Sequence, residues 1–271
     1  LVFLAVSAIL NIAWDLLFVA VFQLGIAGAA YATIFAQYVS GIGILLYVLF
    51  RCRSLFPERK DLCFDGGILK EIAGLSSLTC LQQSVMNFGI LMVQGLVNSF
   101  GATTMAAFAA AVKIDTFAYL PVQDFGNAYS TFIAQNYGAG NKERIRRGTK
   151  ESFAISTAFS LVISALVFAF AVPLMQIFVS SAETAVIASG VRYLRIEGAF
   201  YFGIGCLFLL YGYYRAIKRA EMSVVLTVIS LGTRVLLAYV LSATFLGETG
   251  IWMAIPIGWI LADLTGLLYM R

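Results

Sequence analysis

The sequence predicts an all-α polytopic membrane protein with eight transmembrane helices. Apolar residues fill 61% of the 271 positions and charged residues only 12%, with a mean hydropathy of +0.91. A soluble domain carries about 25% charge, so this chain lacks the polar residues that a water-facing surface needs, and a soluble enzyme is excluded. Long runs of Leu, Ile, Val, Phe and Ala supply the roughly 20 helical residues that cross an apolar layer of about 30 Å. They lack the alternation of a membrane barrel strand. Basic residues recur at every second connection between these runs. Histidine is absent, which excludes His triads, His metal sites and imidazole proton shuttles.

The spans follow in order. Residues 1–22 form the first, interrupted by Ser7, Asn11 and Asp15; with no basic segment ahead of it, it does not read as a signal peptide. Residues 27–50 follow the turn at Leu24-Gly25 and end at Arg51. The third span, 72–99, carries Gln82, Gln83, Asn87 and Gln94. The fourth, 102–137, holds Lys113, Asp115 and Asp124, and Pro121 predicts a kink that frees a carbonyl. The fifth is 152–179. The sixth, 185–214, reads as one helix with Arg192, Arg195 and Glu197 near its outer end. The seventh, 222–245, contains Arg234, and the eighth, 250–270, contains Asp263. No room is left for a soluble domain.

Lys and Arg favour cytoplasmic loops. Arg51, Arg53, Arg59, Lys60 and Lys70 lie in the second connection. Lys142, Arg144, Arg146, Arg147 and Lys150 lie in the fourth, Arg215, Lys218 and Arg219 in the sixth, and Arg271 closes the chain. Of the 18 basic residues, all but Lys113, Arg192, Arg195 and Arg234 fall on this one side. The alternation supports eight spans and puts both visible ends in the cytoplasm; the expected location is the inner (plasma) membrane. The group Lys142 to Lys150 reads as a topology signal, with anionic lipid as the other reading at about 1 kcal/mol per charge.

An internal repeat links the first hairpin to the last. Leu24-Gly25-x-x-Gly28 matches Leu246-Gly247-x-x-Gly250, Ala32 matches Ala254, and Leu45-Leu46-Tyr47 matches Leu267-Leu268-Tyr269. The expected organisation is therefore two related six-helix lobes. Residues 1–50 are the last two helices of an N-lobe, 51–71 a cytoplasmic linker and 72–271 a six-helix C-lobe. Four spans are expected ahead of Leu1, which is not Met. Parallel repeats with a site between them are a transporter plan.

The polar residues inside spans are the candidate site. A mid-membrane Asp costs about 2.5–3.5 kcal/mol on insertion scales, so it calls for a partner, an ion or a wet cavity. Asn11 lies one helical turn from Asp15, and both point the same way. Hairpin geometry brings Thr33 to nearly the depth of Asp15. A carboxylate, an amide carbonyl and a hydroxyl are hard oxygen donors suited to Na⁺ or a shared proton; helix-to-helix bonding is the structural alternative. Gln83, Asn87 and Gln94 form a polar stripe for a substrate cavity. Lys113, Asp115 and Asp124 either line that cavity or pair with other helices. Arg234 and Asp263 stand at equal distance from the turn at Glu248, so an ion pair is expected there, as a structural staple rather than a substrate contact.

Several of these segments resemble the multidrug and toxic compound extrusion (MATE) transporters. The segments are Asn11-Ile-Ala-Trp-Asp15, Leu24-Gly-Ile-Ala-Gly-Ala-Ala-Tyr-Ala-Thr33 with Gln37, Ala106-Ala107 with Lys113-Ile-Asp115, and Gln135-Asn-Tyr-Gly-Ala-Gly140 with Arg144. Gly250-Ile-Trp-Met-Ala with Pro256 and Trp259 completes the set. The resemblance covers the chain as helices five to twelve of a twelve-helix fold of two pseudo-symmetric lobes. It implies an N-lobe cation site at Asn11, Asp15 and Thr33, whose additional Asp on the first helix this chain lacks. Some members carry a Glu on the seventh helix and an Asp on the tenth; Leu75 to Ser99 contains no Glu, which weakens a C-lobe site of that kind. Gly74 is followed by Leu75-Ser76 where the family often has Gly-x-Pro.

The function expected is secondary active multidrug efflux: organic cations or amphiphilic drugs exported in antiport with H⁺ or Na⁺. No cofactor, no nucleic acid and no catalytic residue is expected, the lipid bilayer is the surrounding partner, and the full-length protein is expected to be monomeric. No P-loop is present. Cys52, Cys63, Cys80 and Cys206 show no metal spacing and read as free thiols. A lipid-linked oligosaccharide flippase would share the plan but needs a strongly cationic cavity, whereas acids outnumber bases at mid-depth here. A membrane-embedded enzyme would need paired aspartates in a protease motif or His ligands.

Overall fold

The computed structural model describes residues 2–52 and 64–270. Arg53, Arg59, Lys60, Cys63 and Arg271, used above for topology and thiol state, lie outside the described residues. The chain divides into two compact units at Gly66/Gly67. Among the described residues, seven helices are long and apolar enough to span a membrane, and a bent helix pair makes an eighth if counted as one span.

The first unit is a helical hairpin. Helix α1, Val2–Asp15, passes into a π-helical turn at Leu16–Val21, and α2 runs Gly25–Arg51. The widened turn is seen in the Phe22 N–H donating to Leu17 O at 2.9 Å, five residues back. Gln23 and Gly25 take positive φ (53° and 58°) to reverse the chain. On α2 the buried positions are Gly28, Ala32, Ala36 and Ser40, every fourth residue and all small. This stripe lets two helices approach closely in an apolar medium, where packing replaces the hydrophobic drive. The approach is close enough for the Ser7 hydroxyl to donate to Ala36 O at 2.8 Å.

The second unit contains α3 (Gly66–Ser99), α4 (Ala102–Gly138), α5 (Lys142–Phe178), α6 (Thr184–Gly198), α7 (Tyr201–Ala216), α8 (Ala220–Ser242) and α9 (Glu248–Tyr269). Three expectations change. The span expected at 185–214 is two helices bent by 52°; Ala199 and Phe200 form the break, with the Phe200 N–H on Glu197 O and the Gly203 N–H on Phe200 O. The basic stretch from Lys142 is the opening of α5 rather than loop, because Asn141 caps it by accepting from the Arg144 N–H at 3.1 Å. Pro121 sits within the single helix α4, whereas the backbone leaves helical angles at Phe170 (φ −103°, ψ 18°) in α5, three residues ahead of Pro173. There the ring removes a donor and crowds the preceding turn.

The core of this unit joins α4, α6 and α9. Trp252 is fully buried, stacks on Phe108 at 5.5 Å and meets the edge of Tyr193 at 5.0 Å. Helices α4 and α7 cross at glycine: a Cβ on Gly212 would stand 2.7 Å from Gly126 O. Helix α3 buries only Gln82, Gly89, Val93 and Val97, a single narrow stripe. The Gln135-Asn-Tyr-Gly-Ala-Gly140 segment ends α4 with Gly140 at φ 69° and the Asn141 N–H on Asn136 O at 2.9 Å.

Candidate functional site

In the first unit the structure brings Asn11 and Thr33 together. Asn11 Nδ2 donates to Thr33 Oγ1 at 3.5 Å, and Thr33 Oγ1 donates to Ala29 O at 3.0 Å. The Thr33 hydroxyl is thus anchored on its own helix and held toward α1. Asp15 follows one turn after Asn11, at the junction where the helix widens into its π-turn. Such single π-turns recur at functional positions. The Asp15 side chain is half-buried, and its Oδ1 is enclosed with no hydrogen-bond donor. Trp14 and Phe18 both contact Phe35, at 5.7 and 6.1 Å, and wall this stretch of the hairpin with aromatic surface. A carboxylate oxygen left without a donor in such a setting carries a desolvation cost that a partner would relieve.

In the second unit the candidates separate. Gln83, Asn87 and Gln94 lie on exposed parts of α3, well round the helix from its buried stripe, whereas Gln82 is the buried amide. Asp124 is exposed on α4. Lys113 and Asp115, two apart, point in opposite senses. Lys113 faces a groove of about 580 Å³ lined also by Ala106, Ala110 and Glu183, with Nζ 5.9 Å from the Phe178 ring centre. Asp115 points inward and is 3% exposed.

Asp115 enters a cluster that the spans alone did not reveal. The Tyr201 hydroxyl donates to Asp115 Oδ1. Tyr193 and Glu197 are both buried on α6, one turn apart, on a helix that packs against α4. Glu197 is 6% exposed, so its placement near an outer end is corrected. Asp115 and Glu197 stand equally far into α4 and α6, about 20 Å from the first residues of those helices. The sequence signal was Tyr193-x-x-x-Glu197-x-x-x-Tyr201, a polar line at four-residue spacing that continues across the α6–α7 break.

The expected Arg234–Asp263 ion pair is not formed: among the described residues, Arg234 Nε and Asp263 Oδ1 are both buried without a partner. Equal depth on adjacent helices did not give equal azimuth. Asp263 faces α7, where Cys206 is its neighbour. Near the first turn of α9, Glu248 Oε2 accepts from Thr104 Oγ1 at 2.8 Å and Ser189 Oγ at 3.0 Å. Its Oε1 lies 3.5 Å from Arg192, so this carboxylate joins α4, α6 and α9.

Comparison with known proteins places these features in context. The family profile described as MatE matches residues 78–240. A probable multidrug resistance protein YpnP of Bacillus subtilis (strain 168) is 32% identical over 272 residues, covering 99% of this chain and 60% of that protein. A probable multidrug resistance protein NorM of Thermotoga maritima is 29% identical over 234 residues, covering 85% of this chain and 50% of that protein. The fold matches a solved outward-facing multidrug resistance MATE family transporter with TM-score 0.91 at 24% identity, over 97% of this chain and 59% of that one. The chain therefore spans about 60% of the length of the first of these relatives and half of the second.

Proposed function

This chain belongs to the MatE family, and from that membership we propose that it is part of a secondary active efflux transporter. It exports organic cations or amphiphilic drugs in antiport with H⁺ or Na⁺. Asp15 carries the reading: a half-buried carboxylate whose Oδ1 has no donor, set one turn from the Asn11–Thr33 bond in a hairpin that holds no other acid. The coupling ion is the cargo that fills this place. Asp15 supplies the charge, Thr33 Oγ1 a hydroxyl oxygen, and Asn11 an amide that reorients to offer its carbonyl.

Loading Asp15 neutralises a charge that is costly in the apolar layer, and unloading restores it. The two states differ in how firmly the hairpin can close on itself, and this difference gives the ion its leverage. One charge crossing 100 mV supplies about 2.3 kcal/mol, enough for an uphill substrate ratio of about 45-fold. The relatives named as probable multidrug resistance proteins support the substrate class. In this reading residues 1–50 close an N-lobe, 51–71 link the lobes and 72–271 form the C-lobe, in a transporter active as a monomer. The one-sided Lys and Arg residues support an orientation with both visible ends in the cytoplasm, and the location proposed is the inner membrane.

The test is drug efflux by the whole protein in proteoliposomes under an imposed Na⁺ or H⁺ gradient. Asp15→Asn is expected to abolish gradient-driven export; export unchanged by this substitution overturns the assignment. Collapsing each gradient in turn identifies the ion.

A further inference from the structure

We infer that the groove beside Lys113 holds the head of a zwitterionic phospholipid from the surrounding bilayer, its phosphate on Lys113 and its ammonium on Glu183. The groove, of about 580 Å³, lies between the first turns of α4, the end of α5 and the start of α6. These helix ends mark one edge of the second unit: α5 stops at Phe178, Val179 is extended, and α6 begins at Thr184. Lys113 stands about 16 Å along α4 from Ala102. Side chains on a helix lean toward its N-terminus, so the Lys113 stem leans back toward this edge. Its Nζ comes to 5.9 Å from the Phe178 ring centre. The stem lies on apolar surface while the ammonium is raised to the level where α5 leaves the apolar layer. Lipid phosphates stand at that level.

Two opposite charges line this groove without meeting. Among the described residues, neither Lys113 nor Glu183 forms an ion pair or a side-chain hydrogen bond. Glu183 holds the N-cap place of α6, yet its carboxylate bonds none of the free N–H groups of that helix. An unpaired ammonium and an unpaired carboxylate on one groove fit a ligand that carries both signs a short distance apart. A phosphate joined through two carbons to a primary ammonium has that form. Lys113 meets the phosphate as a point charge with three donors, and the ligand's ammonium donates to Glu183. The Thr103 and Ser180 hydroxyls line the same groove. Ser180 Oγ accepts from the Ala182 N–H at 3.4 Å and keeps its own hydrogen for an ester oxygen.

The bilayer is the source because of what lies deeper on the same helix. The face of α4 that carries Lys113 continues at Phe117 and Leu120, four and seven residues on, and both are exposed. Toward the edge, Ala106 and Ala110 leave the room that larger side chains would fill. A polar head at the edge with apolar surface running inward is the posture of a phospholipid. A water-soluble zwitterion would leave Phe117 and Leu120 uncovered.

The inference needs a membrane around the chain and does not need efflux. Native mass spectrometry of the whole protein, released from nanodiscs of defined composition, reads the affinity of the tightest lipid. Phosphatidylethanolamine is expected to be kept in preference to phosphatidylglycerol, and diacylglycerol, which lacks the phosphate, is expected to be lost. Lys113→Gln should weaken phosphatidylethanolamine binding about tenfold, the worth of one charge-assisted bond, and Lys113→Arg should keep it. Glu183→Gln should leave phosphatidylglycerol binding in place and remove the preference for the ammonium head. Both positions are exposed, so neither substitution disturbs the core. Unchanged retention in Lys113→Gln, or an unchanged preference in Glu183→Gln, overturns the inference. An effect confined to the half-saturation of drug export also overturns it, because the groove would then belong to a transported zwitterion. Asp15→Asn leaves lipid retention as it was, so failure of the efflux reading and failure of this one are separable.

Discussion

Asn11 reaches across the first hairpin to Thr33, Nδ2 to Oγ1 at 3.5 Å, and this long bond sits one turn from the donor-free oxygen of Asp15. The bond is weak enough to be exchanged for an ion. Thr33→Ala is expected to weaken the apparent affinity for the coupling ion about tenfold, since a bond to a charged partner contributes about 1.5 kcal/mol or more. Export at saturating ion should survive. The measurement is the ion-concentration dependence of efflux, and an unchanged half-saturation point would remove Thr33 from the site.

The α4–α7 crossing has no room for a side chain at Gly212. A Cβ there meets the backbone oxygen of Gly126 at 2.7 Å, and a backbone cannot rotate aside. Gly212→Leu is expected to destabilise the protein by about 3 kcal/mol, the upper part of the overpacking range. Gly232 on α8 has nothing within 4 Å of its Cβ position. Gly232→Ala should be neutral or stabilising by up to about 1 kcal/mol through helix propensity. Thermal unfolding in one detergent compares the two directly.

Glu248 ties three helices through two hydroxyl donors and Arg192. Glu248→Ala is expected to cost about 2 kcal/mol. In a double-mutant cycle, Thr104→Val and Glu248→Ala should be non-additive by about 1 kcal/mol. Additivity would show that the carboxylate does not act through Thr104.

The Lys218–Glu71 pair, at 2.5 Å, joins α3 to the α7–α8 turn but is exposed on both sides. The Glu71 carboxylate raises the proton affinity of Lys218 above its ordinary value, by hydrogen bonding first and by charge second. A raised lysine adds stability that is present below its unfolded value and lost as pH climbs through the folded one. The contribution is thus constant across neutral pH and fades only in alkali. Solvent screening keeps it small, so Glu71→Gln should leave the melting temperature at pH 7 unchanged within error.

The helical fold was legible because hydropathy and charge alternation report the same crossings. The break between α6 and α7 was not, because Ala199 and Phe200 are as apolar as the helices they separate. The helical start at Lys142 was hidden for the opposite reason: a solvated, charged turn has no apolar stripe, and only Asn141 marked it. Depth could be counted for Arg234 and Asp263, but rotation about the helix axis could not, and rotation turns Asp263 toward Gly203 on α7. Glu197 was misplaced because its neighbours Arg192 and Arg195 are exposed, and its line with Tyr193 and Tyr201 crosses a bend that the sequence did not announce.

Gly25 and Gly247 both turn the chain with positive φ, 58° and 52°. Three residues on, Gly28 and Gly250 each leave no space between a helix and the one before it: an added Cβ would meet Phe18 O at 3.0 Å or Leu241 O at 2.8 Å. The Leu-Gly-x-x-Gly match is therefore a copied piece of carpentry, one corner joint cut twice from the same template. A saturation screen should accordingly find the same intolerance to side chains at 25 as at 247, and at 28 as at 250.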